Sequence, residues 1–435
     1  MRAVAPALSR RAWLLAMGAT ATAAALGRTP FGGRLRLRLP WATNSIDPHA
    51  LDDPTAALFG ASIADPLYAL DSQGRPYPTL ARGLPEATTK GAVVRLRPNL
   101  NTGRGRALDA RDLLFSLRRA RDRGAVALLS PLANPVPHPH DGWAVVFPGA
   151  EPLAVARALT SPLTALLPRG FSRLRPDGTG AFVATAGRKR LVLARNPTAA
   201  RGPAYLDAIE VTAAADLADA LRSFESGDSD LGWLGRGLHR PRPGSVPFNA
   251  GSLGWVVLRT GTEAGSWGAP GVAQQLLDRI GAAALSHLGL HGVPAPAGDP
   301  AWGGDPCDLL VANDAPHLAG IARTIAGLLT RPGHEIRAAE RSRRNLEQRL
   351  QRSRFSLMLD FVRPLGPSSE DALLSLLTAA DPALARRPPR LKGLAPRRVA
   401  QTLPLGVVGE LRIEGAHMPR TQGLAGWDLG GVWQR

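Results

Sequence analysis

Cysteine is nearly absent: Cys307 is the only one in 435 residues. An exported chain with one thiol forms no internal disulfide. Its stability must come from core burial, which a chain of this length can supply. Cys307 precedes the apolar run Asp308-Leu309-Leu310-Val311 and reads as a small buried hydrophobe. Lysine is almost as scarce. Lys90, Lys189 and Lys392 are the only lysines among 53 basic residues, so arginine carries nearly all of the formal net charge of +18. A nucleic-acid binder gathers its positive charge on one face and often mixes both cations. Here arginine is spread over strands, loops and helices alike, as a GC-rich coding bias produces, and no nucleic-acid partner is expected. A basic surface still steers anionic partners or membranes toward it. The chain also lacks a Gly-x-Ser-x-Gly elbow, a His-Glu-x-x-His pair and a P-loop. Gly232-Trp233-Leu234-Gly235-Arg236-Gly237 has the wrong glycine spacing for a dinucleotide loop, and His138-Pro139-His140-Asp141 sits in a Pro-rich setting typical of a surface turn. Neither catalysis nor a metal or other cofactor is expected, and no internal repeat is visible.

The N-terminus reads as an export signal. Ser9-Arg10-Arg11-Ala12-Trp13-Leu14-Leu15 resembles a twin-arginine motif, with Trp13 where phenylalanine is usual. The apolar run from Ala12 to Leu26 is too short to span a membrane comfortably. Ala21-Thr22-Ala23 and Ala23-Ala24-Ala25 both offer a small-x-small cleavage site, and no cysteine nearby offers a lipid anchor. As a twin-arginine signal carried by Arg10 and Arg11, or as a plain secretory signal, segment 1–25 predicts a periplasmic protein.

Residues 34–39 alternate arginine and leucine, the period of a half-buried strand. Residues 109–121 predict a helix capped by Asp109, with Leu113, Leu114 and Leu117 on one face. Short strands are expected at 192–194 and 209–211, and a helix at 216–227 stopped by Gly227. Farther along, strands are expected at 253–258, 308–311 and 355–359, and helices at 272–288, 317–329 and, highly charged, 335–354. This alternation predicts an α/β lobe. Proline and glycine gather at 134–139, 241–247, 292–306 and 388–396, the second and fourth flanking a block from about 250 to 405.

From Gly178 the chain reads GTGAFVATAGRKRLVLARNPTAARGPAYLDAIEV, then ADALRSFESGDSDLGWL to Leu234. A Gly-Thr-Gly turn, an Arg-Asn-Pro corner (Arg195-Asn196-Pro197) and a Ser-Gly-Asp-x-Asp helix end follow in order. This stretch resembles the extracellular solute-binding proteins of family 5, the oligopeptide and dipeptide receptors of ABC importers. SIDPHALDD (45–53), ADPLYALDSQGRPYPTLARGLPEA (64–87) and RLRPNLNTGRGRALDARDLLFSLRRA (95–120) resemble further family blocks. The match runs from about 40 to 260 and is loose from 261 to 400.

The resemblance implies an α/β, two-lobed periplasmic binding protein, type II-like, with an extra small subdomain in lobe I. The expected division is 26–70, 176–252 and 409–435 for lobe I, 71–175 for its subdomain, and 253–408 for lobe II. The second lobe is shorter than the family's, a helix-rich piece being absent near 292–306. The implied ligand is a peptide-like solute held between lobes, and the implied partner an ABC permease in the inner membrane, with the receptor a monomer. Leu359-Asp360-Phe361-Val362-Arg363 lies where the family's second-lobe strand enters the pocket. There Asp360 can receive an ammonium and Arg363 a carboxylate, unless the two pair with each other or with solvent at a strand end. Trp255 can wall the pocket or belong to the core. Ser45 and Ile46 can offer backbone groups. Two other readings stay open: a sensor or accessory protein with a degenerate pocket, and a secreted hydrolase.

Overall fold

Ten strands form one continuous sheet, and two long strands at its middle organise it. In this computed structural model, residues 29–187, 189–233, 242–293 and 301–434 are described. Across the sheet the order is Ile336–Arg341, Cys307–Ala312, Leu357–Val362, Val246–Thr260, Leu405–His417, Leu231–Trp233, Arg34–Leu39, Ala208–Ala213, Arg190–Arg195 and Phe182–Ala186. The long central pair, Val246–Thr260 and Leu405–His417, is antiparallel and runs from one half of the molecule into the other. Its register shifts between Asn249 and Ser252, between Ser252 and Gly254, and between Val256 and Val257. Such bulges bend a strand and increase its twist. The sequence supports them with Gly251 and Gly254 at positive φ, and a Cβ at Gly254 would lie 2.4 Å from the Val362 carbonyl oxygen.

Each flank carries a block of parallel strands. Arg34–Leu39 lies parallel to both Leu231–Trp233 and Ala208–Ala213. On the other flank Cys307–Ala312 lies parallel to both Ile336–Arg341 and Leu357–Val362. Leu231–Trp233 is antiparallel to Leu405–His417, and Leu357–Val362 is antiparallel to Val246–Thr260. The two blocks therefore run toward each other, and their carboxyl ends meet near mid-length of the central pair. Leu35, Leu37 and Leu39 are buried while Arg34 and Arg36 face solvent, as the alternation predicts.

The motifs behind the resemblance turn out to be structural. Thr179 donates its hydroxyl to buried Asp65 at 2.8 Å, and Gly180 N donates to Ile63 O at 2.8 Å. A Cβ at Gly178 would approach Ile63 O to 2.5 Å, and one at Gly180 would approach Ser62 O to 2.5 Å. Asn196 Nδ2 donates to Gly180 O at 2.8 Å, clamping the corner to the same turn. Asp230, fully inside, takes a forked contact from Arg36 and another from Arg420.

A smaller unit lies between the first strand and the Gly-Thr-Gly turn. It holds a sheet ordered Glu86–Thr88, Gly91–Arg95, Ala144–Pro148, Val136–Pro137, together with the helix Ala110–Arg123. Asp109 caps that helix in a reciprocal capping box with Asp112. The unit's core, with Leu113, Leu117 and Phe147, is continuous with Trp255, Val362 and Leu376 of the flank beyond the central pair.

Three elements differ from the sequence reading. Residues 335–354 form a strand, Ile336–Arg341, and a helix, Arg343–Gln351, separated by the cap Ser342. Parallel pairing with Cys307–Ala312 overrides the helical propensity of this charged segment. Residues 272–288 break after Asp278 into Val272–Asp278 and Ala282–Leu285, with Gly281 capping the second piece. The strand expected at 253–258 extends back to Val246.

Candidate functional site

Ligands of open α/β sheets sit beyond the carboxyl ends of parallel strands. In this molecule two sets of such ends face each other. Beyond Leu39 the chain runs through Pro40, Trp41, Ala42 and Thr43. Beyond Ala312 it runs through Asp314 to the helix Pro316–Leu329. These two loops touch directly: Ala42 N donates to Asp314 O at 2.8 Å, and His317 N donates to Pro40 O at 3.1 Å. Trp233, the last residue of its strand, stands between them. Its ring lies 4.6 Å edge-to-face from Trp41 and 6.0 Å from the His317 imidazole.

Three polar atoms at this junction are buried without a hydrogen-bond partner: Trp41 Nε1, Thr43 Oγ1 and His317 Nε2. By contrast, Trp233 Nε1 donates to Arg412 O at 3.1 Å. An unsatisfied buried group costs about 1–3 kcal/mol. Buried polar groups of this kind are ordinarily satisfied by a bound partner or by ordered water. Burial pushes the His317 imidazole down to about 4, so it is neutral at pH 7 and its ring nitrogens offer one donor and one acceptor.

Around these neutral groups the charges are already paired. Arg343 grips Asp314 with two contacts, at 3.1 and 3.0 Å, and lies 3.7 Å from the Asp52 carboxyl. Arg119 grips Asp47 at 2.7 and 2.6 Å. Burial alone would raise the Asp47 carboxyl, but this fork holds it below the usual carboxylate range. Arg259 binds Asp360 at 2.9 Å. For Asp52, desolvation first and then the like charge of Asp360 outweigh the attraction of Arg343 and push it up to about 6. Two small cavities adjoin at Arg343. One is bordered by Trp41, Asn44, Ser45, Asp53 and Asp314, the other by Asp52, Leu318, Leu346, Glu347 and Asp360.

Of the residues singled out from sequence, Ser45 and Asp360 border these cavities. The Asp360 carboxylate, however, is engaged by Arg259 rather than by Arg363. Ile46 and Phe361 are fully buried in the main core, and Trp255 in the second one. Arg363 is buried too, and its guanidinium donates to Pro48 O at 3.2 Å while its backbone N donates to Leu51 O at 2.9 Å. It holds the 48–51 turn, and burial pushes its pKa down to about 10, so it stays charged at neutral pH. Arg10 and Arg11, and most of the glycine run 232–237, lie outside the described residues. His138 and His140 sit on a surface turn of the small sheet. Among the described residues no group of three or more His, Cys, Asp or Glu is arranged to hold a metal ion. Sequence reasoning passed over Trp41, Thr43, Asp314, His317 and Arg343. For Trp41, Thr43, Asp314 and His317 the signal available was position, just beyond runs that the sequence marks as strands; Arg343 follows a strand that the sequence did not mark.

No family model matches this sequence, and no curated protein sequence matches it. Solved structures do match its fold. The oligopeptide-binding protein AppA from Bacillus subtilis, in complex with a nonapeptide, aligns with a TM-score of 0.68 at 13% identity, over 94% of this chain and 100% of that one. OppA from Listeria monocytogenes bound to peptide aligns at 0.69 and 14% identity, over 92% and 99%. NikA from Staphylococcus aureus in complex with Ni(L-His)2 aligns at 0.64 and 14% identity, over 92% and 100%. The chain therefore has the two-lobed α/β fold of the oligopeptide-type periplasmic binding proteins. At these identities what is shared is the fold.

Proposed function

We propose that this chain is the solute-binding receptor of an ABC importer, holding a peptide-like solute at the junction of its two strand blocks and carrying out no chemistry on it. The observation that carries this reading is the set of buried, unsatisfied polar groups Trp41 Nε1, Thr43 Oγ1 and His317 Nε2 at the opposed carboxyl ends. The fold neighbours support it, since they are binding proteins whose ligands include peptides and a nickel–histidine complex. In this reading Trp41, Thr43 and His317 hydrogen-bond the solute, Ser45 and Asp360 border it, and Arg363 holds the 48–51 turn in place. Lobe I comprises 26–70, 176–252 and 409–435 with the subdomain 71–175, and lobe II comprises 253–408. The central pair with its bulges is the connection about which they move. The receptor is a periplasmic monomer, delivered by the signal containing Arg10 and Arg11, and it docks on an inner-membrane permease. Among the described residues no helix is long and apolar enough to cross a membrane.

Thermal unfolding with graded peptides and with nickel–histidine tests the reading. A solute present at a hundred times its Kd stabilises the folded state by about 2.7 kcal/mol, which is read as a clear rise in Tm. A rise for one solute class, with that solute recovered intact, is the expected result. No rise for any solute would favour the sensor or accessory reading, and cleaved solute would favour a hydrolase.

A further inference from the structure

Between Asp381 and Glu410 the chain carries six basic residues and no acid: Arg386, Arg387, Arg390, Lys392, Arg397 and Arg398. This segment lies on the surface between the short helices Pro382–Ala385 and Pro396–Ala400. It is pinned by Ala385, Leu391 and Val399, which are buried in the second core. Arg397 turns inward to Asp278 at 2.8 Å. Arg386, Arg387, Arg390, Lys392 and Arg398 are exposed, and among the described residues none of them makes an ion pair. Two large apolar side chains stand out among them, Leu384 at 37% and Leu394 at 42% exposure. The helix Pro382–Ala385 packs on Val126–Leu129, which follows the helix Ala110–Arg123. Of the acids at the strip, Asp278 is paired with Arg397 and Asp381 is occupied in capping Ala383 N at 2.7 Å.

We propose that this strip is a membrane-docking surface that takes the phosphate headgroups of an anionic phospholipid bilayer. Four to eight clustered basic residues are the electrostatic signature of anionic lipid binding. Guanidinium groups fork onto phosphate oxygens better than ammonium groups do. A bilayer fits this surface because exposed apolar and cationic side chains stand together on one pinned segment. Leu384 and Leu394 are exposed among the cations, as apolar side chains that dip into the headgroup boundary are.

Co-sedimentation of the full chain with vesicles tests this, using phosphatidylcholine alone or mixed with phosphatidylglycerol. Binding is expected to the mixed vesicles only, and to fall with added salt. Each basic residue near an anionic surface is worth about fivefold in partitioning. The combined variant Arg386→Gln, Arg387→Gln, Arg390→Gln, Lys392→Gln should therefore weaken binding by about a hundredfold or more. The pair Leu384→Ser and Leu394→Ser should weaken it further, with unchanged circular dichroism. A control removing the same charge elsewhere, at exposed Arg82, Arg118, Arg337 and Arg352, should retain most of the binding. An equal loss in the control, or no binding to anionic vesicles at low salt, would overturn the proposal. Capture of an acidic protein without vesicle binding would overturn it in favour of a protein partner.

Discussion

Asn196 uses both ends of its amide inside the protein. Nδ2 donates to Gly180 O, and Oδ1 accepts from Thr198 N at 3.0 Å and from the Thr198 hydroxyl at 2.9 Å. Asn196→Ala leaves the Gly180 carbonyl unpaired in a buried corner. It should cost about 1–3 kcal/mol in urea denaturation while leaving solute affinity intact; an unchanged midpoint would contradict the structural role given to this corner. Two histidines set a pH dependence. His49 donates through Nε2 to Ala165 O at 2.9 Å, and burial pushes it down to about 4, as it does His317. Both rings start from 6.5 in the unfolded chain, so between pH 6.5 and 4 the unfolded chain binds more protons. The stability they contribute is fully present above 6.5 and is lost as pH falls through that window. Asp52, raised to about 6, works in the opposite sense, because the folded chain takes up its proton first. Burial raises Asp53 and Asp65 in the same sense as Asp52, but the two enclosed imidazoles are the groups whose ordinary pKa of 6.5 falls inside the window between pH 7.5 and 5. Urea midpoints should therefore drop between pH 7.5 and pH 5. Most carboxylates titrate below that interval, so a flat or rising profile would contradict the burial of these rings.

At the scale of elements, the central pair depends on its glycines. Gly254 has φ 153°, and a Cβ there meets the Val362 carbonyl and the Phe361 ring. Gly254→Ala should both destabilise the fold and alter the bend between the two flanks. Lower Tm together with a changed radius of gyration in scattering is expected, whereas wild-type values for both would refute the role of the bulge. The capping box on Ala110–Arg123 gives a smaller effect: Asp109→Ala should cost about 1 kcal/mol. Elements with strong local signals were legible in the sequence. The alternation at Arg34–Leu39, the Asp109 cap, and Asp216 and Gly227 at the ends of Leu217–Ser226 all appear in the structure. The strand Ile336–Arg341 was not legible. It carries three charged residues in six, and what makes it a strand is pairing with Cys307–Ala312, contributed from elsewhere in the chain. The same limit applied to the site. Asp360 and Arg363 were singled out because their strand is expected to enter the pocket, but Arg259, on the adjacent strand, engages Asp360, and Arg363 is buried against the 48–51 turn. The orphan atoms of Trp41, Thr43 and His317 become visible only when two distant strand ends are brought together.

Across the whole molecule, one sheet crosses from flank to flank, and the solute-binding account rests on its two parallel blocks pointing at each other. Export is a separate claim. Replacing Arg10 and Arg11 by lysine should leave unprocessed precursor in the cytoplasm, and unchanged processing would favour a plain secretory signal. The central claim is that a small solute occupies the junction of Trp41, Thr43 and His317. Native mass spectrometry of the folded chain after incubation with a mixed peptide pool measures this most directly, with wild type and a Trp41→Ala, His317→Ala double variant compared side by side. The account predicts a one-to-one adduct of defined mass on the wild type, released on denaturation and lost or much reduced in the variant. No adduct on the wild type, or the same adduct equally retained by a folded variant, would contradict it.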